Sequence, residues 1–97
     1  MFTSKQRSNL RSIAQTIQPV TQVGKGGTHD NLIKTLSEAL EARELIKVSV
    51  LNNNDEDPRD IAEQLAEALQ AEVVEVKGKK VVLYRRSNKP NFKHIEY

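Results

Sequence analysis

Apolar residues recur along this chain with two different periods, and the alternation of the two predicts three helices and four strands. Leu10, Ile13, Ala14 and Ile17 fall at i, i+3, i+4 and i+7, one stripe of an amphipathic helix. Thr3 and Gln6 stand at capping-box spacing ahead of it, and Pro19 bounds it. Val20 to Val23 is a short strand candidate that stops at Gly24-Lys25-Gly26-Gly27. A second helix follows, with Thr28 as expected N-cap and Leu32, Ile33, Leu36, Ala39 and Leu40 as its buried face. From Leu45 to Leu51 the period changes to two: Ile46, Val48 and Val50 take one face, Lys47 and Ser49 the other.

A polar loop, Asn52 to Glu56, leads to Asp57-Pro58, an N-cap followed by proline in the first helical position. Ile61, Ala62, Leu65, Ala68 and Leu69 make the apolar face of that third helix, with Glu63 and Glu67 toward water. Val73, Val74 and Val76 form the third strand and Val81 to Tyr84 the fourth, joined through Lys77-Gly78-Lys79-Lys80 as a hairpin. The order is a helix followed by βαβαββ. Helix-linked strands run parallel and the hairpin antiparallel, so the expected fold is α/β (α+β), a mixed four-stranded sheet packed with three helices. Residues 1–86 make one domain, and residues 87–97 a basic, flexible C-terminal tail with little to bury.

The 97 residues suffice for one domain, and the 37% that are hydrophobic suffice for one modest core. With two Phe, two Tyr and no Trp, aliphatic side chains must fill it. The absence of Cys excludes disulfides, thiolate-bound zinc, iron–sulfur clusters and cysteine catalysis. It fits a cytoplasmic protein. No apolar run approaches the roughly 20 residues that span a bilayer, and no long apolar stretch follows the N-terminus, so neither membrane association nor a secretory signal is expected. A monomer is the default.

Charge changes the picture more than composition does. Residues 1–51 hold seven Lys/Arg and four Asp/Glu, residues 52–76 one Arg and eight acids, and residues 77–97 seven Lys/Arg and one Glu. The segments carry +3, −7 and +6, and the net +2 hides the segregation. If the fold brings the two ends together, one basic face results, which steers a polyanion without making the whole surface adhesive.

The glycine-rich turn is the sharpest chemical feature. It joins a strand to a helix start, where free N–H groups favour an anion, and Lys25 adds a charge at the tip. Its glycine spacing is not that of a Walker loop. The GxxG spacing is that of KH domains, but a KH loop joins two helices and here a strand precedes it. Arg7 and Arg11 lie one turn apart on the first helix and suit neighbouring phosphates. Lys79, Lys80, Arg85 and Arg86 extend the positive surface. With few aromatics to stack on bases, contact should be made mainly to the sugar–phosphate backbone. The acidic run around Asn53, Asp55 and Asp57 is expected to cap the third helix and keep RNA from that side.

An enzyme is not expected. His29 and Asp30 are adjacent and point about 100° apart on a helix, and no serine stands in a nucleophile motif. His29 reads as a first-turn surface residue. Asn53, Asp55 and Asp57 mimic the start of a calcium loop, but Pro58 and Gln64 occupy the positions of its glycine and bidentate glutamate. No metal, cofactor or small-molecule substrate is expected. The rival reading is a protein-interaction adaptor without direct nucleic-acid binding, using Phe92, Ile95 and Tyr97 as an exposed apolar patch.

Three segments, Pro19 to Gly27, Ala39 to Val48 and Val82 to Arg85, together resemble the CRM domain (chloroplast RNA splicing and ribosome maturation). The layout over residues 3–86 is similar to the bacterial stand-alone, YhbY-like form. The tail beyond Arg86 and the Asn-rich loop 52–57 lie outside that pattern. The resemblance implies an RNA-binding domain whose core is like the C-terminal domain of translation initiation factor three. It also implies association with ribosomal RNA in precursors of the large ribosomal subunit. It carries the GxxG loop onto Gly24, Lys25, Gly26 and Gly27, beside Thr28, and the basic helix onto Lys5, Arg7 and Arg11.

Overall fold

The computed structural model describes residues 2–97, and Met1 lies outside them. The elements are α1 (Ser4–Ala14), β1 (Thr21–Val23), α2 (Asp30–Arg43), β2 (Leu45–Val50), α3 (Pro58–Leu69), β3 (Glu72–Lys77) and β4 (Lys80–Tyr84). This is the expected order, and the four strands form one mixed sheet ordered β1-β2-β4-β3. β1 runs parallel to β2, while β4 is antiparallel to both β2 and β3. No helix among the described residues is long and apolar enough to cross a membrane.

The predicted caps form where local chemistry alone decides. Thr3 and Gln6 close a reciprocal capping box, and the Asp57 carboxylate accepts from the Arg59 N–H ahead of Pro58. Two boundaries differ from expectation. Helix α2 is capped by His29, not Thr28, because the imidazole Nδ1 accepts the Leu32 N–H at 3.2 Å. Helix α1 stops at Ala14 instead of running on past Ile17, where Thr16 turns its N–H and hydroxyl back onto the Ile13 carbonyl. In α3, Ala66 packs on the core and Ala68 is exposed, the reverse of the expected face.

The sheet is covered unequally on its two sides. On one, α2 and α3 bury Leu32, Leu36, Leu40, Ile61 and Leu65 against Val23, Ile46, Val48, Val81 and Leu83. On the other, α1 sets Leu10 and Ala14 against Leu45, Val74, Val82 and Tyr84. A bulge in β3 between Val73 and Glu75 turns Val74 toward α1, while Val73 and Val76 stay on the larger core.

The C-terminal residues are not short of burial, contrary to the sequence reading. Ile95 and Tyr97 pack on the α1 side of the core, and the rings of Phe2, Tyr84 and Tyr97 meet edge-on with centroids 5.1–5.6 Å apart. Glu44 holds this segment in place. It follows α2 with φ of 66°, a positive value that glycine adopts far more readily than a residue with a side chain. Its fully buried carboxylate accepts the Ser87 N–H at 2.7 Å, the Ile95 N–H at 2.8 Å and His94 Nδ1. Burial pushes the Glu44 pKa up, but these three donors outweigh it and hold it below the usual carboxylate value.

Because the folded-state pKa lies below the unfolded one, Glu44 stabilises the protein above the ordinary carboxylate range, and this contribution is lost as pH falls through the folded value. Glu44→Ala should cost about 3 kcal/mol in urea unfolding at neutral pH. Its stability should fall less than the wild type's on acidification below about pH 4. Parallel pH profiles for the two proteins would show that the carboxylate is not the pin.

Candidate nucleic-acid interface

The strand directions sort the chain's cations between two ends of the sheet. β1 and β2 finish, β3 finishes and β4 begins at one end, so the glycine loop, residues 51–57 and the 77–80 hairpin gather there. The start of β2, the start of β3 and the end of β4 lie at the other, about 20 Å away along the strands.

The glycine loop is a tight turn closed by the Gly27 N–H on the Gly24 carbonyl at 3.0 Å. Only Gly27 needs its freedom for conformation, with φ of 66°. Gly26 serves a different purpose. It and Lys25 are exposed, and no hydrogen bond within the described residues engages either N–H. Two bare donors and an ammonium at one tip suit an anion. Lys79 and Lys80 reach the same end, with the Lys79 carbonyl accepting the Val50 N–H at 2.7 Å.

The Asn-rich loop props this turn from behind. Asn54, only 8% exposed, donates from Nδ2 to the Gly24 carbonyl at 2.8 Å, and its Oδ1 accepts the Glu56 N–H. Thr28 donates its hydroxyl to Gln64 Oε1, and Gln64 Nε2 donates to Glu56 Oε1. Thr28 is therefore a positioning residue with its proton already committed. The Glu56 carboxylate stands 3.8 Å from where a Cβ on Gly27 would be. One acid of the loop, Glu56, thus stands directly beside the glycine turn.

The remaining predicted cations divide. Arg7 and Arg85 hold the fold together. Arg7 Nη1 donates to the Val73 carbonyl at 2.6 Å and the Val74 carbonyl at 3.0 Å, capping the bulged edge strand, and its guanidinium lies over the Phe2 ring. Arg85 donates to the Leu69 and Ser37 carbonyls and pairs with Glu41 at 3.2 Å. Lys5, Arg11 and Arg86 are exposed. Helix α1, however, packs on the sheet face opposite α2. Its N-terminal turn, with Lys5 and Arg7, lies toward the end where Phe2 meets Tyr84, as do Arg85 and Arg86. The twelve expected residues therefore do not form one cluster: Gly24 to Thr28, Lys79 and Lys80 share one end, Lys5, Arg7, Arg85 and Arg86 lie toward the other, and Arg11 is exposed further along α1.

Two lysines outside the expected set join the glycine-loop side. Lys47 and Lys77 project on the α1 face beside Lys80, over the half of the sheet that α1 leaves uncovered. The signal was the alternation in β2, which sets Lys47 and Ser49 on one face. A polar row on a central strand marks a face without a helix on it.

The chain matches the model of the CRS1 / YhbY (CRM) domain over residues 2–85. It belongs to the CRM domain family. A Bacillus subtilis member, named "Probable RNA-binding protein YqeI", is 53% identical over 87 residues, covering 90% of this chain and 91% of that one. A Methanocaldococcus jannaschii member, "Probable RNA-binding protein MJ0652", is 42% identical over 86 residues, covering 87% of this chain and 63% of that one. A Staphylococcus aureus protein of known solution structure superposes with a TM-score of 0.78 at 48% identity, over 94% of this chain and 95% of that one. The mixed sheet and three helices are thus shared with that structural neighbour.

Within this CRM domain the two classes of cation are separable by stability. Arg7→Ala should lower unfolding free energy by about 2 kcal/mol, since it strands two carbonyls at the bulge. Lys5→Ala and Arg11→Ala should each change it by less than about 0.5 kcal/mol. Urea titrations of the three variants check this, and equal effects would remove the distinction.

Proposed function

We propose that this CRM-domain protein binds RNA through the Gly24–Thr28 loop and the lysines beside it, and that its RNA is ribosomal, in precursors of the large subunit whose assembly it assists. The observation that carries the reading is the bare Lys25–Gly26 tip, with two unengaged N–H groups, at the same sheet end as Lys79 and Lys80. A ribose–phosphate strand lies against Gly26 because no side chain intervenes. One phosphate accepts from the loop N–H groups and pairs with Lys25. The neighbouring phosphates meet Lys79 and Lys80. The names of the relatives support the RNA class. The ribosomal destination rests on the family resemblance of the three sequence segments.

The adaptor reading is weakened: of its three apolar residues, Phe92, Ile95 and Tyr97, the last two pack against the core. No catalytic step is invoked, and the protein acts by holding RNA.

Gly26 has no positive φ, and a Cβ there would meet only the edge of the His29 ring at 3.4 Å, so Gly26→Glu should fold. It should weaken binding to fragments of large-subunit ribosomal RNA by at least about tenfold in filter binding. Wild-type affinity should fall by about a hundredfold or more between about 50 and 200 mM salt. Undiminished binding by a folded Gly26→Glu protein, or affinity indifferent to salt, would overturn the loop as the site. Crosslinking in cells tests the ribosomal assignment separately: recovery of RNA without large-subunit sequences would refute it.

A further inference from the structure

The half-sheet that α1 leaves open is not flat. A cleft of about 690 Å³ lies between the chain leading from α1 into β1 and the strands β1, β2 and β4, lined by Gln18, Pro19, Gln22, Ser49, Leu51 and Lys80 among others. Lys80 Nζ donates to Ser49 Oγ at 2.8 Å, so the ammonium is held along the cleft floor. A smaller hollow of about 180 Å³ continues under the end of α1, with Lys47, Lys77 and Glu75 around it and Lys80 on the shared border. Three lysines against one glutamate leave this trough positive. Gln18 and Gln22 are exposed, and neither amide has a hydrogen-bond partner among the described residues.

We propose that this cleft takes one unstacked base of an unpaired RNA strand, with the phosphates on either side held by Lys80 and Lys47. The inference rests on the RNA-binding reading and adds the kind of RNA. Each glutamine amide offers a donor and an acceptor together, which is what the edge of a base presents. Pro19 and Leu51 give the ring apolar contact. In an A-form duplex the bases are stacked and paired, so only an unpaired base can swing out and enter. A peptide would need apolar anchors, and this lining is largely amide, hydroxyl and ammonium.

The double variant Gln18→Ala/Gln22→Ala keeps every charge and replaces two exposed side chains. Fluorescence anisotropy with a labelled unpaired oligoribonucleotide of mixed sequence, about 12 nucleotides long, and with a blunt duplex of the same composition reads the effect. Loss of the amide hydrogen bonds should raise the single-strand Kd about tenfold and leave the duplex Kd unchanged. In the wild type, the side-chain amide NMR signals of both glutamines should move on adding the single strand and stay on adding the duplex. An unchanged single-strand Kd, an equal loss on both RNAs, or glutamine signals indifferent to the single strand would overturn the proposal. The loop is tested in the same assay by Gly26→Glu. If that variant binds both RNAs normally while the glutamine variant loses the single strand, the loop reading fails and the cleft stands. If Gly26→Glu weakens both and the glutamine variant neither, the cleft fails and the loop stands.

Discussion

The two central strands, β2 and β4, must be buried on both faces, and the chain does not have enough helix to do so evenly. Helices α2 and α3 cover one face from end to end, while the other receives only α1, about 16 Å long, and the last residues of the chain. This shortage organises the rest of the molecule. Where α1 and the tail reach, the sheet carries Leu45, Val74, Val82 and Tyr84. Where they do not, it carries Lys47, Ser49, Lys77 and Lys80.

The tail is held to the covered half chiefly by the Glu44 carboxylate, with Glu41 accepting the Asn88 N–H and the Ser87 hydroxyl. Glu44 adopts a positive φ that costs of order 1 kcal/mol or more for a residue with a side chain. In return its carboxylate gathers donors from Ser87, His94 and Ile95, separated from it by forty or more positions in sequence. The same turn starts β2, so the pin acts at the edge of the core that α1 must close. The C-terminal segment is thereby folded against the protein.

At the opposite end, the polar loop 51–57 and the glycine loop behave as one unit. Asn54 fixes the Gly24 carbonyl, and the Thr28–Gln64–Glu56 chain ties the start of α2 to α3. Acidic and bare surfaces therefore meet at a sharp boundary. In the proposed binding mode a phosphate near Lys25 is attracted, while one displaced past Gly27 toward Glu56 is repelled.

The sequence by itself determined the elements, their order, most of their caps and the mixed sheet, because these follow from periodicity, turn chemistry and side chains that reach only three or four residues along the chain. It also marked the glycine loop, since a run of small residues between a strand and a helix is a local signal. Tertiary structure decided which cations are free. Arg7 and Arg11 look alike as residues of one helix, but only Arg7 meets the carbonyls of a bulge sixty-six positions away. Arg85 and Arg86 are adjacent, and only Arg85 turns inward to Glu41. The fold alone also set the buried role of Glu44 and the layer to which α1 belongs. These depend on long-range approach, and no periodicity along a chain encodes which face of a sheet a helix will cover or what will then remain open.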